Sequence, residues 1–423
     1  MTGRSRPRSR DYGEALDYLF SRRRMGMKYG LERIRGLLEA AGHPQRAFRT
    51  VHVVGTNGKG STTAMLAETM RRLGLRTGRF TSPHLLDYRE RVAVDGGWIP
   101  REAVLEFLGR YRRDIEDLGA TFFEVTTAMA AWWFAERSVD WAVVEAGLGG
   151  RLDATRTFHG EATLFTGVRL EHSRILGDTE ELIAVEKVAI ADPATLLVSP
   201  RQSAGVEEVL ENAVREGGLR RVLPRPAPAS LHPDTPLTAN ADLACTAACQ
   251  LADRPEPEVR RAFEEACAQL YWPGRLDLRP GEVDILFDVA HNPQSISALM
   301  RKVEEMAPPL PAVLGFLRDK RYGEMVDQVR GLLEPVVATT PADPDRALEA
   351  SELARELEMR GMACRPVAEI SAAVKAGREE ALRTGRGPLV VTGSFFVVGE
   401  AMLSCFRRGW IELPGLEGEL GEG

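Results

Sequence analysis

A lysine, three glycines and three hydroxyl side chains stand together near the amino terminus, directly after an apolar run at residues 51–54. The stretch reads Gly55, Thr56, Asn57, Gly58, Lys59, Gly60, Ser61 and Thr62. Amides at a helix amino terminus favour an anion, a lysine adds positive charge, and a hydroxyl can reach a divalent cation. Because a strand-like run precedes the stretch and apolar residues at helical spacing follow it, the sequence predicts a strand, a phosphate-binding loop and a helix.

The predicted loop differs from the common phosphate-loop pattern G-x-x-x-x-G-K-[ST]. Val53 stands where the first glycine of that pattern belongs, and Gly60 separates Lys59 from Ser61. The alternative is a glycine-rich connection between a strand and a helix that binds no ligand. We favour the phosphate loop because glycine, lysine and hydroxyl residues occur together.

Two later strands are predicted to end beside polar side chains. Glu145 ends an apolar run at 141–145, and a run at 164–168 leads to Glu171 and His172. The carboxyl ends of parallel strands meet at one edge of a sheet, so Glu145 is expected near the phosphate loop, where a carboxylate can bind Mg²⁺. The alternatives are a solvated loop residue for Glu145 and a packed or surface histidine for His172.

The elements that must position these groups alternate along the chain. In the first part, helices are predicted at 12–42 (two helices), 101–118, 124–137, 239–251 and 256–270, and strands at 75–80, 141–145 and 164–168, with a strand and a helix within 192–218. After residue 283 the predicted strands are 283–288, 312–315, 336–339, one near 363, and 388–392, each followed by a helix. This alternation is typical of α/β domains.

The length of 423 residues exceeds what one hydrophobic core usually organises, so we predict two domains. The predicted parts are a disordered basic tail at 1–11, a central domain at 12–272, a linker at 273–282, a second domain at 283–413 and a frayed tail at 414–423. A proline-rich connection is predicted at 223–236.

Composition excludes several classes of protein. Hydrophobic residues make up 44% and charged residues 27%, and the formal charge of −6 gives no footprint for nucleic acid. No apolar run is long enough to span a bilayer. The five cysteines lack zinc-type pairs, which indicates reduced, buried thiols in a cytoplasmic protein. Trp132 and Trp133 are assigned to a core helix, with a partner-facing surface as the alternative.

Motifs along nearly the whole chain resemble the folylpolyglutamate synthase/dihydrofolate synthase family of the Mur ligase superfamily. They lie at 55–61, 82–85, 90–91, 121–124, 147–155, 176–179, 186–187, 273–275, 288–293 and 393–394. The loop spelling that departs from the general pattern matches that of this family. The resemblance implies a mostly parallel, phosphate-loop-containing α/β domain of Mur ligase type, followed by a smaller Rossmann-like α/β domain.

The resemblance also implies roles for single residues. ATP would be held by the eight loop residues 55–62 together with Asn240, Arg275 and Asp288. Mg²⁺ would be bound by Ser61, Glu145 and His172, with two metal sites in all, and Lys187 would be carbamylated by CO₂. The substrate residues would be Ser82, His84, Thr121, Phe122, Phe123, Glu124 and Leu152, and the catalytic residues Lys59, Lys187, His172 and His291. His291 has a structural role as its alternative.

The activity implied is an ATP-dependent ligation of L-glutamate to dihydropteroate or to reduced folates through an acyl phosphate. The expected partners are therefore small molecules (a pterin or folate, glutamate and ATP), and a monomer is expected. Gly167 and Glu171 depart from the family pattern, which keeps open a Mur-like ligase with a different carboxylic acid as acceptor. A nucleotide-binding regulatory module without catalysis is the third interpretation.

Overall fold

The structure is a computed structural model that describes residues 9–25, 30–228, 236–343 and 345–414. The chain divides into two compact units, the first comprising Met1–Ser82 and Arg89–Leu270 and the second Pro83–Tyr88 and Tyr271–Gly423. Most of the tails predicted at 1–11 and 414–423 lie outside the described residues. The first helix begins at Ser9, within the segment predicted as a tail.

The first unit is built on an eight-stranded sheet. Its helices and strands, in chain order, are α1 (Ser9–Ser21), α2 (Glu32–Ala40), β1 (Arg49–Val54), α3 (Lys59–Arg72), β2 (Thr77–Phe80), β3 (Val92–Val94), β4 (Gly97–Trp98), α4 (Arg101–Asp117), α5 (Phe122–Glu136), β5 (Trp141–Glu145), β6 (Gly160–Phe165), α6 (Ser173–Leu176), α7 (Glu180–Val188), β7 (Leu196–Val198), α8 (Ala204–Gly217), β8 (Arg220–Val222), α9 (Pro236–Leu251) and α10 (Glu256–Gln269). Short 3₁₀ helices occur at Arg22–Met25, Pro44–Arg46, Tyr88–Arg91 and Ala154–Thr157.

The strand that carries the predicted phosphate loop lies inside this sheet. The strand order is β4-β3-β2-β5-β1-β6-β7-β8, and β1 pairs in parallel with both β5 and β6. The β2–β3 and β3–β4 pairs at one edge are antiparallel. A strand with two parallel neighbours is covered on both faces, which explains why Val51, Val53 and Val54 in β1 are all fully buried.

The helix after β1 packs on the sheet through its apolar positions. Leu66 and Met70 of α3 share one hydrophobic cluster with Val51 and Val53 of β1 and with alanines of α9. The start of α3 is thereby held at the carboxyl end of β1. The predicted core helix is confirmed as α5, in which Trp132 is buried and Trp133 is half-buried.

The second unit contains a six-stranded sheet of order β13-β12-β11-β14-β10-β9. Its elements are β9 (Asp277–Arg279), β10 (Ile285–Asp288), α11 (Pro293–Glu304), β11 (Leu310–Leu314), α12 (Tyr322–Val329), β12 (Leu333–Ala338), α13 (Ala350–Met359), β13 (Cys364–Pro366), α14 (Ile370–Thr384), β14 (Leu389–Thr392) and α15 (Phe395–Arg407). All pairs are parallel except β9 with β10. Hydrophobic clusters cover both faces of this sheet.

Several boundaries differ from the sequence prediction. The strand predicted at 164–168 spans Gly160–Phe165, because Gly167 has a φ of +114° that extended backbone does not allow. The predicted linker at 273–282 contains β9, and residues 83–88 group with the second unit. The short strands β3, β4 and β8 were not predicted.

All five cysteines are free thiols, as predicted. Cys245 and Cys405 are buried, whereas Cys249, Cys267 and Cys364 are half-buried, so the prediction of full burial holds for two of them. Across the described ranges, no helix has both the length and the apolar character needed to cross a membrane.

Candidate active site

The loop between β1 and α3 depends on two glycines. Gly55 has a φ of +150° and Gly58 a φ of +84°, both in a region that side chains disfavour. A Cβ at Gly55 would overlap the hydroxyl of Thr166, and a Cβ at Gly58 would overlap the side-chain amide of Asn240. The close approach of Asn240 to Gly58 brings α9 against the loop.

Hydrogen bonds tie this loop to the segment that follows β6. The Thr56 amide donates to the Gly167 carbonyl at 2.9 Å, and the Thr166 hydroxyl donates to the Asn57 carbonyl at 2.7 Å. The Arg169 amide donates to the Thr56 hydroxyl at 3.0 Å. The loop conformation is therefore fixed by two strands, β1 and β6, in addition to α3.

The first turn of α3 carries the cation and the hydroxyl that were predicted to bind phosphate and metal. Lys59 opens the helix, and its Nζ atom donates to the Thr56 carbonyl at 3.0 Å. Ser61 is buried, with 3% of its surface exposed. The helix amino terminus and the Lys59 ammonium place positive charge at one point, which suits a phosphate group.

Glu145 lies beside this loop, as the parallel sheet was expected to place it. It pairs in register with Val53 of β1, two residues before Gly55. Glu145 is 4% exposed, and its carboxylate accepts a hydrogen bond from the Ser82 amide at 3.0 Å. A buried carboxylate and a buried serine near the end of β1 are oxygen ligands of the kind Mg²⁺ prefers.

His172 lies at the start of α6 with left-handed backbone, at a φ of +52°. Its side chain is 39% exposed, and its Nε2 atom is 3.8 Å from the Glu171 carboxylate. No group of three or more His, Cys, Asp or Glu side chains is arranged to hold a metal in the described ranges. A metal held by Ser61, Glu145 and His172 would complete its shell with phosphate oxygens and water, which is usual for Mg²⁺.

Lys187, on the last turn of α7, is a buried ammonium group beside the loop. Only 6% of its surface is exposed, and its Nζ atom donates to the Gly55 carbonyl at 2.8 Å. Burial, reinforced by the charge of Lys59, lowers the pKa of Lys187 to about 7, although Glu171 and Asp153 act in the opposite direction. The structure thus brings Lys59, Lys187 and Gly55 into one cluster.

The glycine-rich loop after β5 packs against the end of α7. A Cβ at Gly150 would overlap the Lys187 carbonyl oxygen and lie 2.8 Å from that of Glu186. Arg151 forms an ion pair with Glu186 at 2.8 Å. This loop carries Leu152, which is 40% exposed.

Asp153 organises the same loop, and sequence reasoning gave it no role of its own. Its carboxylate accepts hydrogen bonds from the Leu148 amide at 2.8 Å and from the Thr155 amide at 3.0 Å. Burial raises the pKa of Asp153, while these hydrogen bonds oppose the rise. The sequence signal that could have indicated this role is an acidic residue three positions after Gly150.

The predicted substrate residues at the start of α5 also make contacts that stabilise the fold. Thr121 and Glu124 form a capping box, and Glu124 is also 3.2 Å from Arg33. The Phe123 ring packs so closely on Gly147 that a Cβ there would lie 2.8 Å from its Cε2 atom. The start of α5 is therefore anchored to the glycine-rich loop.

Two arginines contact the neighbouring Phe122: Arg91, which lies in the 90–91 motif, and Arg23, which was not singled out from the sequence. The guanidinium carbons of Arg23 and Arg91 lie 4.6 and 5.1 Å from the centroid of the Phe122 ring. These cation–π contacts place positive charge beside the predicted substrate residues. The sequence signal was weak, since Arg23 is one of three consecutive arginines.

The remaining predicted residues belong to the second unit. Asp288 ends β10, and its buried carboxylate accepts hydrogen bonds from the amides of Leu276 and Ala290 at 2.8 and 2.9 Å. Burial raises the pKa of Asp288, opposed chiefly by the charge of Arg275. His291 lies three positions after Asp288, and His84 lies in the 83–88 segment, where its ring is 6.1 Å from that of Tyr88.

With this geometry established, the chain can be compared with known proteins. A family model described as "Mur ligase, glutamate ligase domain" matches residues 274–395, which fall in the second unit. The Escherichia coli FolC structure in complex with DHPP and ADP superposes with a TM-score of 0.81 at 25% identity, covering 94% of this chain and 98% of that one. The two α/β units and the phosphate loop thus define a protein of the Mur ligase class, which confirms the predicted fold class.

Two relatives place the chain within that class. The dihydrofolate synthase/folylpolyglutamate synthase of Mycobacterium tuberculosis is 33% identical over 77% of this chain and 76% of its own length. The chain belongs to the folylpolyglutamate synthase/dihydrofolate synthase family. A probable bifunctional folylpolyglutamate synthase/dihydropteroate synthase of Haloferax volcanii is 34% identical over 94% of this chain, which spans about half (51%) of that longer relative.

Proposed function

We propose that this chain is an ATP-dependent ligase that joins the amine of L-glutamate to a carboxylate of dihydropteroate, of reduced folates or their polyglutamates, or of both. Family membership supports the proposal, and the related Escherichia coli structure contains DHPP and ADP. The observation that carries it is the cluster at the carboxyl end of β1. There the loop that depends on Gly55 and Gly58 lies beside Lys59 and the buried Lys187, whose ammonium groups donate to the Thr56 and Gly55 carbonyls of the same loop.

The reaction requires activation because a carboxylate resists attack by an amine. Transfer of the γ-phosphoryl group of ATP to the acceptor carboxylate gives an acyl phosphate, and the glutamate amine then displaces phosphate through a tetrahedral intermediate. The loop amides and Lys59 would hold the transferring phosphoryl group. Such catalysis consists mostly of positioning and charge stabilisation.

A divalent cation fits the donor groups present. Ser61 supplies a hydroxyl, Glu145 a buried carboxylate and His172 an imidazole, and we propose that they hold Mg²⁺. Bound there, the ion would neutralise charge on the phosphates. The Ser82 amide keeps the Glu145 carboxylate oriented through its hydrogen bond.

We further propose that Lys187 is carbamylated. Only a neutral amine reacts with CO₂, and a pKa of about 7 leaves a large neutral fraction at neutral pH. Carbamylation replaces a buried cation with an anion, which can bind or orient a second metal ion. The proximity of Lys59 favours that change, since two neighbouring cations become an opposite pair.

The other predicted residues receive proposed roles of the same kind. The acceptor would contact Ser82, His84, Leu152 and the residues Thr121, Phe122, Phe123 and Glu124. The nucleotide would contact Asn240, Arg275 and Asp288, and His291 would orient the amino acid or the phosphate. We propose a monomer that acts on small molecules alone.

Product analysis with two acceptors tests the activity. Purified protein would be incubated with ATP, Mg²⁺, glutamate and either dihydropteroate or tetrahydrofolate, while ADP release and product mass are followed. We expect glutamate-dependent ADP release and a product heavier by one glutamyl residue with at least one acceptor. Lys59→Met should lower the rate at least 100-fold, about the loss seen when one charge-stabilising group is removed.

The control is Lys302→Met, which removes a lysine of the second unit that pairs with Glu305. This variant should retain the wild-type rate. An absence of glutamate-dependent ADP release with both acceptors would exclude the folate ligase. It would direct the search to other carboxylic acids.

A further inference from the structure

Phe395, the first residue of α15, contacts two predicted site residues of the second unit. The guanidinium carbon of Arg275 lies 4.9 Å from the centroid of the Phe395 ring. The ring of His291 lies 5.6 Å from the same centroid, at an interplanar angle of 55°. One aromatic side chain therefore contacts both a predicted nucleotide-binding cation and a predicted catalytic histidine.

The backbone on each side of Arg275 is held by a different carboxylate. The Gly274 amide donates to Asp277 at 3.1 Å, and the Leu276 amide donates to Asp288 at 2.8 Å. Asp277 also accepts a hydrogen bond from the Tyr271 hydroxyl at 3.1 Å. With its backbone fixed in this way, Arg275 retains chiefly the freedom of its long side chain, which the face of Phe395 restricts.

His291 is fixed in a similar manner. Its Nδ1 atom is 2.9 Å from the Val289 carbonyl oxygen, and its amide donates to the Ser295 hydroxyl at 3.1 Å. A ring whose Nδ1 atom faces a carbonyl presents its Nε2 atom elsewhere. The Val289 carbonyl and the Phe395 ring thus define the orientation of the imidazole.

The position of Phe395 is itself well defined. Ser394 caps α15 by accepting a hydrogen bond from the Val397 amide at 3.1 Å. The Phe395 ring packs against the hydrophobic cluster that includes Val289, Val397 and Val398. A ring held by a helix cap and by a hydrophobic cluster is a rigid surface for the groups that contact it.

We infer that Phe395 is a positioning residue that holds the Arg275 guanidinium and the His291 imidazole in fixed orientations toward the ligand. The inference rests on the proposed function for the identity of that ligand. It adds a residue to which neither the motifs nor the proposed reaction gave a role. Phe395 itself acts through Arg275 and His291 and need not contact the reacting atoms.

Two variants separate this role from ordinary packing. Phe395→Leu keeps an apolar side chain but removes the π face, whereas Phe395→Tyr keeps the face. We expect Phe395→Leu to lower kcat/KM for ATP about tenfold, mainly through KM, and Phe395→Tyr to stay within about twofold of the wild type. Phe396→Leu, at the adjacent half-buried position, is the matched control and should leave both constants unchanged.

A second readout does not depend on activity. The NMR signal of the Arg275 Nε–H group reports the mobility of the guanidinium, and we expect its order parameter to fall in Phe395→Leu but not in Phe395→Tyr or Phe396→Leu. Unchanged Arg275 mobility in a folded Phe395→Leu protein would overturn the inference. Failure of the proposed function would appear separately, as a wild-type protein that forms no ADP with either acceptor.

Discussion

Lys187 occupies an environment that a lysine side chain ordinarily avoids. Its ammonium is buried, is repelled by the charge of Lys59, and donates to the carbonyl of Gly55. Uncompensated burial of a cation is costly, and a pKa lowered to about 7 is the expected response. Such perturbed groups concentrate at functional sites, which is the physical reason for assigning chemistry to this lysine.

Carbon-13 NMR with labelled bicarbonate tests the carbamate directly. We expect a carbamate signal at pH 8 that is lost as the pH falls below the pKa of about 7, because only the neutral amine reacts with CO₂ and the reaction releases a proton. Lys187→Arg should lack the signal because a guanidinium stays protonated. Lys302→Arg should retain it, and a signal that survives in Lys187→Arg would contradict the assignment.

For single residues, the sequence was sufficient to predict a role from residue type and local spacing, but not to predict the environment of the side chain. Lys59 and Ser61 follow directly after a strand, so local spacing was sufficient to assign them to a loop. The burial of Lys187 against Gly55 joins residues 132 positions apart, which no local pattern encodes. Its proposed role came from family resemblance, and the physical reason for that role came from the fold.

At the scale of elements, the glycine-rich loop at 147–153 is in close contact with helix α7. The contact between them is backbone against backbone at Gly150, whose missing side chain allows the carbonyl groups of Glu186 and Lys187 to approach. The ion pair between Arg151 and Glu186 closes the same contact. A change in the loop therefore shifts the helix that carries Lys187.

Gly150→Ala tests this coupling. The added Cβ overlaps the Lys187 carbonyl oxygen, so the loop or the helix must move, and we expect a loss of about 1–3 kcal/mol in stability to urea, as for an overpacked core. The proposed ligase activity should also fall. Gly109→Ala, in the exposed middle of α4 with no atom within 4 Å of its new Cβ, should instead raise stability by about 0.5–1 kcal/mol. Equal effects of the two changes would contradict the coupling.

Most helices and central strands were predicted, because amphipathic periodicity and β-branched runs are local signals. The end of β6 was not, since the turn at Gly167 and the bonding of Thr166 to Asn57 are set by the neighbouring phosphate loop. The short strands β3, β4 and β8 were also missed. Tertiary contacts thus determine where the strands end, and the candidate site lies at those strand ends.

At the scale of the whole molecule, a buried histidine links stability to pH. His52 lies within β1 with no exposed surface, and its Nε2 atom is 2.6 Å from the Phe158 carbonyl oxygen. Burial lowers the pKa of His52 from 6.5 to about 4. The folded state therefore keeps this imidazole neutral at pH values where the unfolded chain would protonate it.

The sign of the effect follows from that difference. Above pH 6.5 both states are neutral, and the full stability is present; as pH falls from 6.5 toward 4, protonation of the unfolded chain removes about 3 kcal/mol, at 1.36 kcal/mol per pKa unit. Hydrogen exchange of the β1 amides at pH 7 and pH 5 measures the loss. His52→Gln should reduce the pH dependence, whereas His159→Gln, at a side chain that is 81% exposed, should leave it unchanged. A pH dependence that His52→Gln leaves intact would assign the effect to other groups.

The existence of two α/β units was evident from length and from the alternation of elements. The grouping of residues 83–88 with the second unit was not, because a short polar segment carries no periodicity and its assignment depends on contacts with distant parts of the chain. Strand β9 was missed for the same reason. It lies inside the segment predicted as a linker and pairs antiparallel with β10.

The hydrogen bonds between the phosphate loop and the segment after β6 affect the free energy of ligand binding. Ordering a backbone residue costs about 1–2 kcal/mol of conformational entropy. Thr56 and Asn57 are already held by Gly167, Thr166 and Arg169 through hydrogen bonds within the protein itself. A phosphate that arrives at this loop meets a preorganised receptor, so little of its binding free energy is lost to ordering the chain that receives it.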